Sequence, residues 1–212
     1  ALALLAVGGI STGVAAAGAD APQTESVEDF APNGKISRAT VRVDDSRTVS
    51  STKLAQSTVT EIQSTGPSKN RIDVVFLGDG YTAAEQEAYL AQVRARWAQL
   101  TSISPYSRYK NFFNVWAVNV VSPDSGVDND PSLGIDRDTA LDSYFFCSGI
   151  ERLLCVATAK ARTYATRAPE VDHTLVIANS TKYGGAGYWD RDLVTFSGGN
   201  QFSAEIVAHE LG

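Results

Sequence analysis

The sequence predicts an α/β fold: a mixed β-sheet packed by helices. Three observations point there. Two short apolar runs rich in β-branched residues, 71–77 and 112–121, have the composition of buried strands. A helix with one apolar face lies between them. From residue 70 onward, segments of strand character alternate with helical ones.

The 212 residues allow one globular domain with a modest flank. Hydrophobic residues make up 43% and charged residues 20%, as in an ordinary soluble domain. The net charge of −6 and the lack of a basic stripe argue against a nucleic-acid partner.

Residues 1–21 are rich in Ala and Gly and nearly free of polar side chains. They read as a secretory signal peptide whose basic beginning is missing. Ala17-Gly18-Ala19 and Ala19-Asp20-Ala21 offer cleavage sites. The competing reading, a membrane anchor, meets a stretch only marginally long enough to span and weakly hydrophobic. Secretion is therefore expected, with no stable membrane partner. Residues 22–69 are rich in Ser, Thr, Asp and Pro and read as a leader or pro-segment, partly flexible, with one or two strands such as 40–43 and 57–62.

The strand at 71–77 ends in the turn Gly78-Asp79-Gly80. Thr82-Ala83-Ala84-Glu85 then forms a capping box, and the helix it opens runs to about Leu100. Tyr89, Val93, Trp97 and Leu100 share one face of that helix. A second strand is expected over 112–121, then a loop over 122–137 bearing Asp124, Asp128, Asp130 and Asp136. Helical stretches are expected over 138–147 and 150–166, a third strand over 173–179, the Gly-rich loop 183–187, and a fourth strand over 193–196. The last helix opens near Ser203. Cys147 and Cys155 fit an oxidising compartment. They pair across a helix–turn–helix junction or stay as two buried thiols, and the spacing alone leaves both open.

The chemistry sits in Glu205-Ile206-Val207-Ala208-His209-Glu210-Leu211-Gly212. Helix positions four apart share a face, so His-Glu-x-x-His points two imidazoles at one zinc ion and puts a carboxylate beside the water that attacks. His209-Glu210-Leu211-Gly212 supplies the first half of that motif. The second His is expected at the residue after Gly212.

Several blocks resemble the bacterial secreted metallopeptidase family known as IgA peptidases. The first is Asn70 to Glu85, with Gly78-Asp79-Gly80-Tyr81 its most distinctive part. In the family's order follow Pro105-Tyr106, Phe113-Asn114-Val115, Ser125-Gly126-Val127-Asp128, Asp138-Thr139-Ala140, Asn179 with Tyr183-Gly184-Gly185-Ala186-Gly187, and His209-Glu210-Leu211-Gly212. The resemblance spans about 70–212. It implies a zincin-like mixed sheet packed by helices, with residues 70–212 the N-terminal part of an incomplete catalytic domain. It further implies a zinc-dependent endopeptidase acting on protein or peptide substrates, one catalytic Zn2+, His209 as metal ligand and Glu210 as general base.

The chain has two His residues, 173 and 209, whereas a catalytic zinc takes three protein ligands and an open position. His173 opens a strand without a partner at ligand spacing and is expected to be structural or exposed. The residues as they stand are thus expected to lack a complete site. The Asp-rich loop 124–138 has carboxylates for calcium but not the Asp-x-Asp-x-Asp-Gly order, so a solvated loop is favoured. Asp79 either orients a group near the site or makes a turn. The Gly-rich loop either approaches substrate backbone or is a mobile turn. Glu205, one turn before His209, is expected to face solvent. An extended substrate could pair with the strand at 193–196 or that at 175–178, the one just before the last helix being favoured. The rival reading is a non-enzymatic secreted binding module on the same scaffold, with an incidental His-Glu pair.

Overall fold

The computed structural model describes residues 23–31, 33–43 and 48–210. Residues 1–21, read above as a signal peptide, and Leu211-Gly212 lie outside the described residues. The described chain carries eight strands: β1 (Gln23–Phe30), β2 (Ile36–Val43), β3 (Thr58–Gln63), β4 (Ile72–Asp79), β5 (Phe113–Asn119), β6 (His173–Ala178), β7 (Gly185–Tyr188) and β8 (Leu193–Ser197). Its helices are α1 (Ser51–Gln56), α2 (Gln86–Leu100), α3 (Tyr106–Tyr109), α4 (Thr158–Ala165) and α5 (Ser203–Glu210). None of them is long and apolar enough to cross a membrane.

All eight strands form one mixed sheet in the order β2-β1-β7-β8-β6-β4-β5-β3. The centre is parallel: β4 pairs with β5 and β6, and β6 with β8. The flanks are antiparallel. This is the α/β mixed sheet that the alternation of segments predicts. Central β4 reads Ile-Asp-Val-Val-Phe-Leu-Gly-Asp because both of its faces are covered. Val74 and Phe76 face one layer, with Tyr89, Val93, Trp97 and Leu100 of α2 and Ile206 and Val207 of α5. Val75 and Leu77 face the other, with Ala161, Tyr164 and Ala165 of α4. Each fully buried large side chain stabilises the fold by roughly 1.5–3 kcal/mol, so the apolar face of α2 alone outweighs any propensity effect in that helix. The expected capping box is present at the 3-10 turn Ala83–Glu85 that leads into α2, with Thr82 N–H and hydroxyl both donating to Glu85 at 2.8 Å.

The segment expected to be a leader joins this sheet. β1 and β2 form a hairpin on one flank, and β3 closes the other against β5.

Several expectations are corrected. Residues 138–146 are not helical, Cys147–Gly149 is a single 3-10 turn, and in 150–166 only Thr158–Ala165 is an α-helix. The reason lies in where the backbone N–H groups go. Leu141 and Ser143 donate to the buried Asp79 carboxylate, and Tyr144 pairs with Cys155 as an antiparallel bridge. Cys147 and Cys155 are joined as a disulfide, which closes this irregular loop rather than a helix–turn–helix junction. The Gly-rich run is no mobile turn either: Gly185–Tyr188 is strand β7, buried throughout. A Cβ on Gly185 would sit 2.5 Å from the Thr195 carbonyl and 2.9 Å from Ile206, so the missing side chain is what lets α5 lie close on the sheet.

Candidate active site

The last helix is held from three sides. Ile206 and Val207 are buried among Val194, Phe196 and α2. Arg96 and Gln99 of α2 donate to the Asn200 and Gln201 carbonyls at 3.2 and 3.3 Å, fixing the approach to the helix. The Tyr106 hydroxyl donates to the Ala208 carbonyl at 3.1 Å near the other end. Glu205 is exposed, as expected. With its apolar side fixed, α5 presents His209 half-buried at its final turn, directly before Glu210.

His209 does not stand alone. Its Nε2 lies 3.3 Å from Oε2 of Glu28 on β1. Its ring stacks on Phe30 of the same strand, centroids 5.0 Å apart and planes 26° apart. The other oxygen of Glu28, Oε1, accepts from Arg38 Nε of β2 at 3.0 Å. Glu28 is thus fixed in register and almost fully buried, with one oxygen left for the imidazole. Nearby, the Tyr183 hydroxyl donates to the Phe30 carbonyl at 2.7 Å. Burial first, then the Asp29 charge, raises the Tyr183 phenol to about 12, so it remains a donor at neutral pH.

The donor types fit a metal. Two ligands at zinc–ligand distances of about 2.1 Å in tetrahedral geometry stand roughly 3.4 Å apart, close to the 3.3 Å between Nε2 of His209 and Oε2 of Glu28. No group of three or more metal-ligating side chains occurs among the described residues. His209 and Glu28 are what those residues bring together.

The other candidates fall elsewhere. His173 begins β6 and its Nδ1 lies 3.8 Å from Asp192. In the acidic loop, the Asp124 and Asp128 carboxylates accept from backbone N–H groups of Asp138 and Arg137, so both are engaged in shaping the loop. Asp79 makes no simple turn. It is fully buried and accepts from Ser122, Thr139, Leu141 and Ser143 at 2.9–3.1 Å. Asn179 donates to the Gly80 carbonyl at 2.8 Å and to Ser125 at 3.2 Å. Blocks far apart in sequence, 78–81, 125–128, 138–140 and 179, therefore meet in one polar knot at the end of β4.

Both strands expected to take an extended substrate are interior. β6 lies between β4 and β8, and β8 between β6 and β7, so neither has a free edge. The outer edge of β7 is covered by β1 through Val27–Tyr188 and Glu28–Gly187. Glu28, which the fold brings to His209, is the neighbour that sequence reasoning missed. It sits in a polar octapeptide, Gln23–Phe30, with no motif around it.

Residues 60–212 match the family model described as IgA Peptidase M64, which covers more than half of the chain. In a comparison with curated proteins, none matches the sequence.

Proposed function

Given that the chain belongs to the IgA Peptidase M64 family, a peptidase family whose substrates are proteins or peptides, we propose that it is a secreted zinc-dependent endopeptidase with its catalytic machinery on α5. The observation that carries the reading is the seating of that helix. Its apolar side is locked on β7, β8 and α2, and it offers His209 at its final turn beside a buried carboxylate. The disulfide between Cys147 and Cys155 supports an oxidising, extracellular setting.

In this reading His209 holds the metal through its imidazole. Zinc, when bound, supplies a Lewis acid for the scissile carbonyl and lowers the pKa of water. Glu210 takes the proton of the attacking water and delivers it to the leaving nitrogen. The Phe30 ring stacks on the His209 imidazole with centroids 5.0 Å apart. The Tyr106 bond to the Ala208 carbonyl anchors the turn that carries both residues.

The test uses the natural full-length protein. Glu210→Gln should retain zinc and lose casein hydrolysis by about three orders of magnitude or more, the scale of removing a general base. A chelator should silence the wild type, and added zinc should restore it. Turnover insensitive to chelation would end the metallopeptidase reading, and no turnover by the zinc-loaded protein would leave the non-enzymatic binding module.

A further inference from the structure

Resting on that functional reading, we propose that Glu28 is a metal ligand supplied in cis by the β1–β2 hairpin, filling the coordination position that water needs, and that the hairpin is an autoinhibitory stopper. Three independent features converge on it. First, Oε2 of Glu28 lies 3.3 Å from Nε2 of His209, the spacing of two ligands on one ion. Arg38 holds the other oxygen, so the carboxylate is aimed rather than free. Second, β1 runs antiparallel along the outer edge of β7, next to α5, with Glu28 opposite Gly187. That edge is where an extended peptide would add to the sheet beside the active-site helix. The hairpin thus excludes substrate backbone and water together. Third, β1 and β2 lie outside residues 60–212, the part that matches the peptidase family. Glu28 therefore lies outside the matched residues.

The hairpin is tied down by side chains suited to a removable element. Asp29 pairs with Arg152, Glu25 pairs with Arg191, and the Tyr183 hydroxyl holds the Phe30 carbonyl. These ties bracket Glu28 on its own strand, two of them immediately after it. A catalytic zinc works with three protein ligands and one open position. A carboxylate delivered into the open one stops the reaction without disturbing the other ligands.

The experiment loads the natural full-length protein with zinc, or with cobalt(II) as a spectroscopic substitute, and compares wild type with Glu28→Gln and Glu28→Ala. Zinc stays bound in all three, the visible cobalt spectrum changes in both variants, and hydrolysis of a short peptide that does not need the β7 edge rises about tenfold or more as water gains the position. Glu28→Leu, of similar bulk and without a donor atom, serves in place of any variant that aggregates and carries the same expectation. An unchanged cobalt spectrum would overturn the ligand assignment. A changed spectrum with zinc lost and hydrolysis reduced would make Glu28 a permanent ligand and overturn the stopper. A wild-type protein that binds no zinc would overturn the metallopeptidase reading and the stopper with it, whereas zinc binding with no gain in the variants overturns the stopper alone.

Discussion

The Thr139 hydroxyl donates to Oδ2 of Asp79 at 3.0 Å, joining the end of the central strand to a loop sixty residues later. The Ser143 N–H takes the same oxygen at 2.9 Å, and Ser122 and Leu141 take the other. Four donors converge on one fully buried carboxylate. Asp79→Asn keeps the shape but turns one acceptor into a donor, and either amide orientation meets a backbone N–H. A buried polar group left facing its own kind costs about 1–3 kcal/mol, more when the original acceptor was charged. Urea unfolding should show a loss of about 3 kcal/mol. A loss below about 0.5 kcal/mol, the range of an ordinary surface substitution, would mean that the knot is not structural.

Gly80, the next residue, has φ +72° and its absent Cβ would lie 2.2 Å from the Gly126 carbonyl. The Gly126 N–H in turn donates to the Gly80 carbonyl at 2.9 Å, so the two backbones are in direct contact. Gly80→Ala adds left-handed strain of about 1–3 kcal/mol to a clash with backbone that has no side chain to swing away. The expected outcome is a drop in Tm by several degrees and faster proteolysis of the 122–143 loop. Gly34→Ala is the control, since it shares a positive φ of 80° but has nothing within 4 Å of its Cβ. Equal losses at the two positions would show that strain alone, and not the Gly126 contact, sets the cost.

These residues also show what the sequence makes legible. The order of β4, α2, β5, β6, β8 and α5 can be read directly because each is specified by local apolar pattern and by caps. The stretch 138–147 reads as helix because Leu141, Tyr144 and Phe145 have helical spacing, yet its N–H groups are drawn to Asp79, which lies 62 residues before Leu141. β1 could not be seen for the opposite reason. Its composition is that of a loop, and its place is set by Glu25–Arg191, Asp29–Arg152 and Glu28–His209, pairs that local periodicity does not record. His209 was legible as half a motif. Its partner Glu28, 181 residues earlier, was not.

The disulfide supports a third prediction. Cys147 and Cys155 are eight positions apart and close a short irregular loop that carries Leu153 and Leu154 into the core. Closing so small a loop in the unfolded chain removes entropy worth about 2.5 kcal/mol. The double substitution Cys147→Ser and Cys155→Ser should lower unfolding free energy by about that amount, measured in urea against the oxidised wild type. Adding a reductant should lower the wild type to the level of the variant. No difference between reduced and oxidised protein would mean that the loop is held by Asp79 and the Tyr144–Cys155 bridge alone.

Glu85 gives the stability a sign against pH. Its carboxylate accepts from the Thr82 N–H at 2.8 Å, from the Ser125 hydroxyl at 2.7 Å and from the Thr82 hydroxyl at 2.8 Å, with Asn179 Nδ2 at 3.3 Å. The Thr82 backbone bond is the largest cause holding its pKa below 4.5, and the hydroxyl and amide donors add to it against the cost of burial. The folded state therefore binds its proton less readily than the unfolded chain. Unfolding takes up a proton in acid, so the contribution of Glu85 is complete above the unfolded pKa and is lost as pH falls through the folded one. Glu85→Gln should lower Tm most near neutral pH, and the gap from wild type should shrink as pH is taken below about 4. Because Ser125 and Asn179 belong to the knot around Asp79, the same variant should expose the 122–143 loop to hydrogen exchange. A Tm gap that stays constant down to acid pH would show that the ionised carboxylate contributes nothing beyond the shape of the side chain.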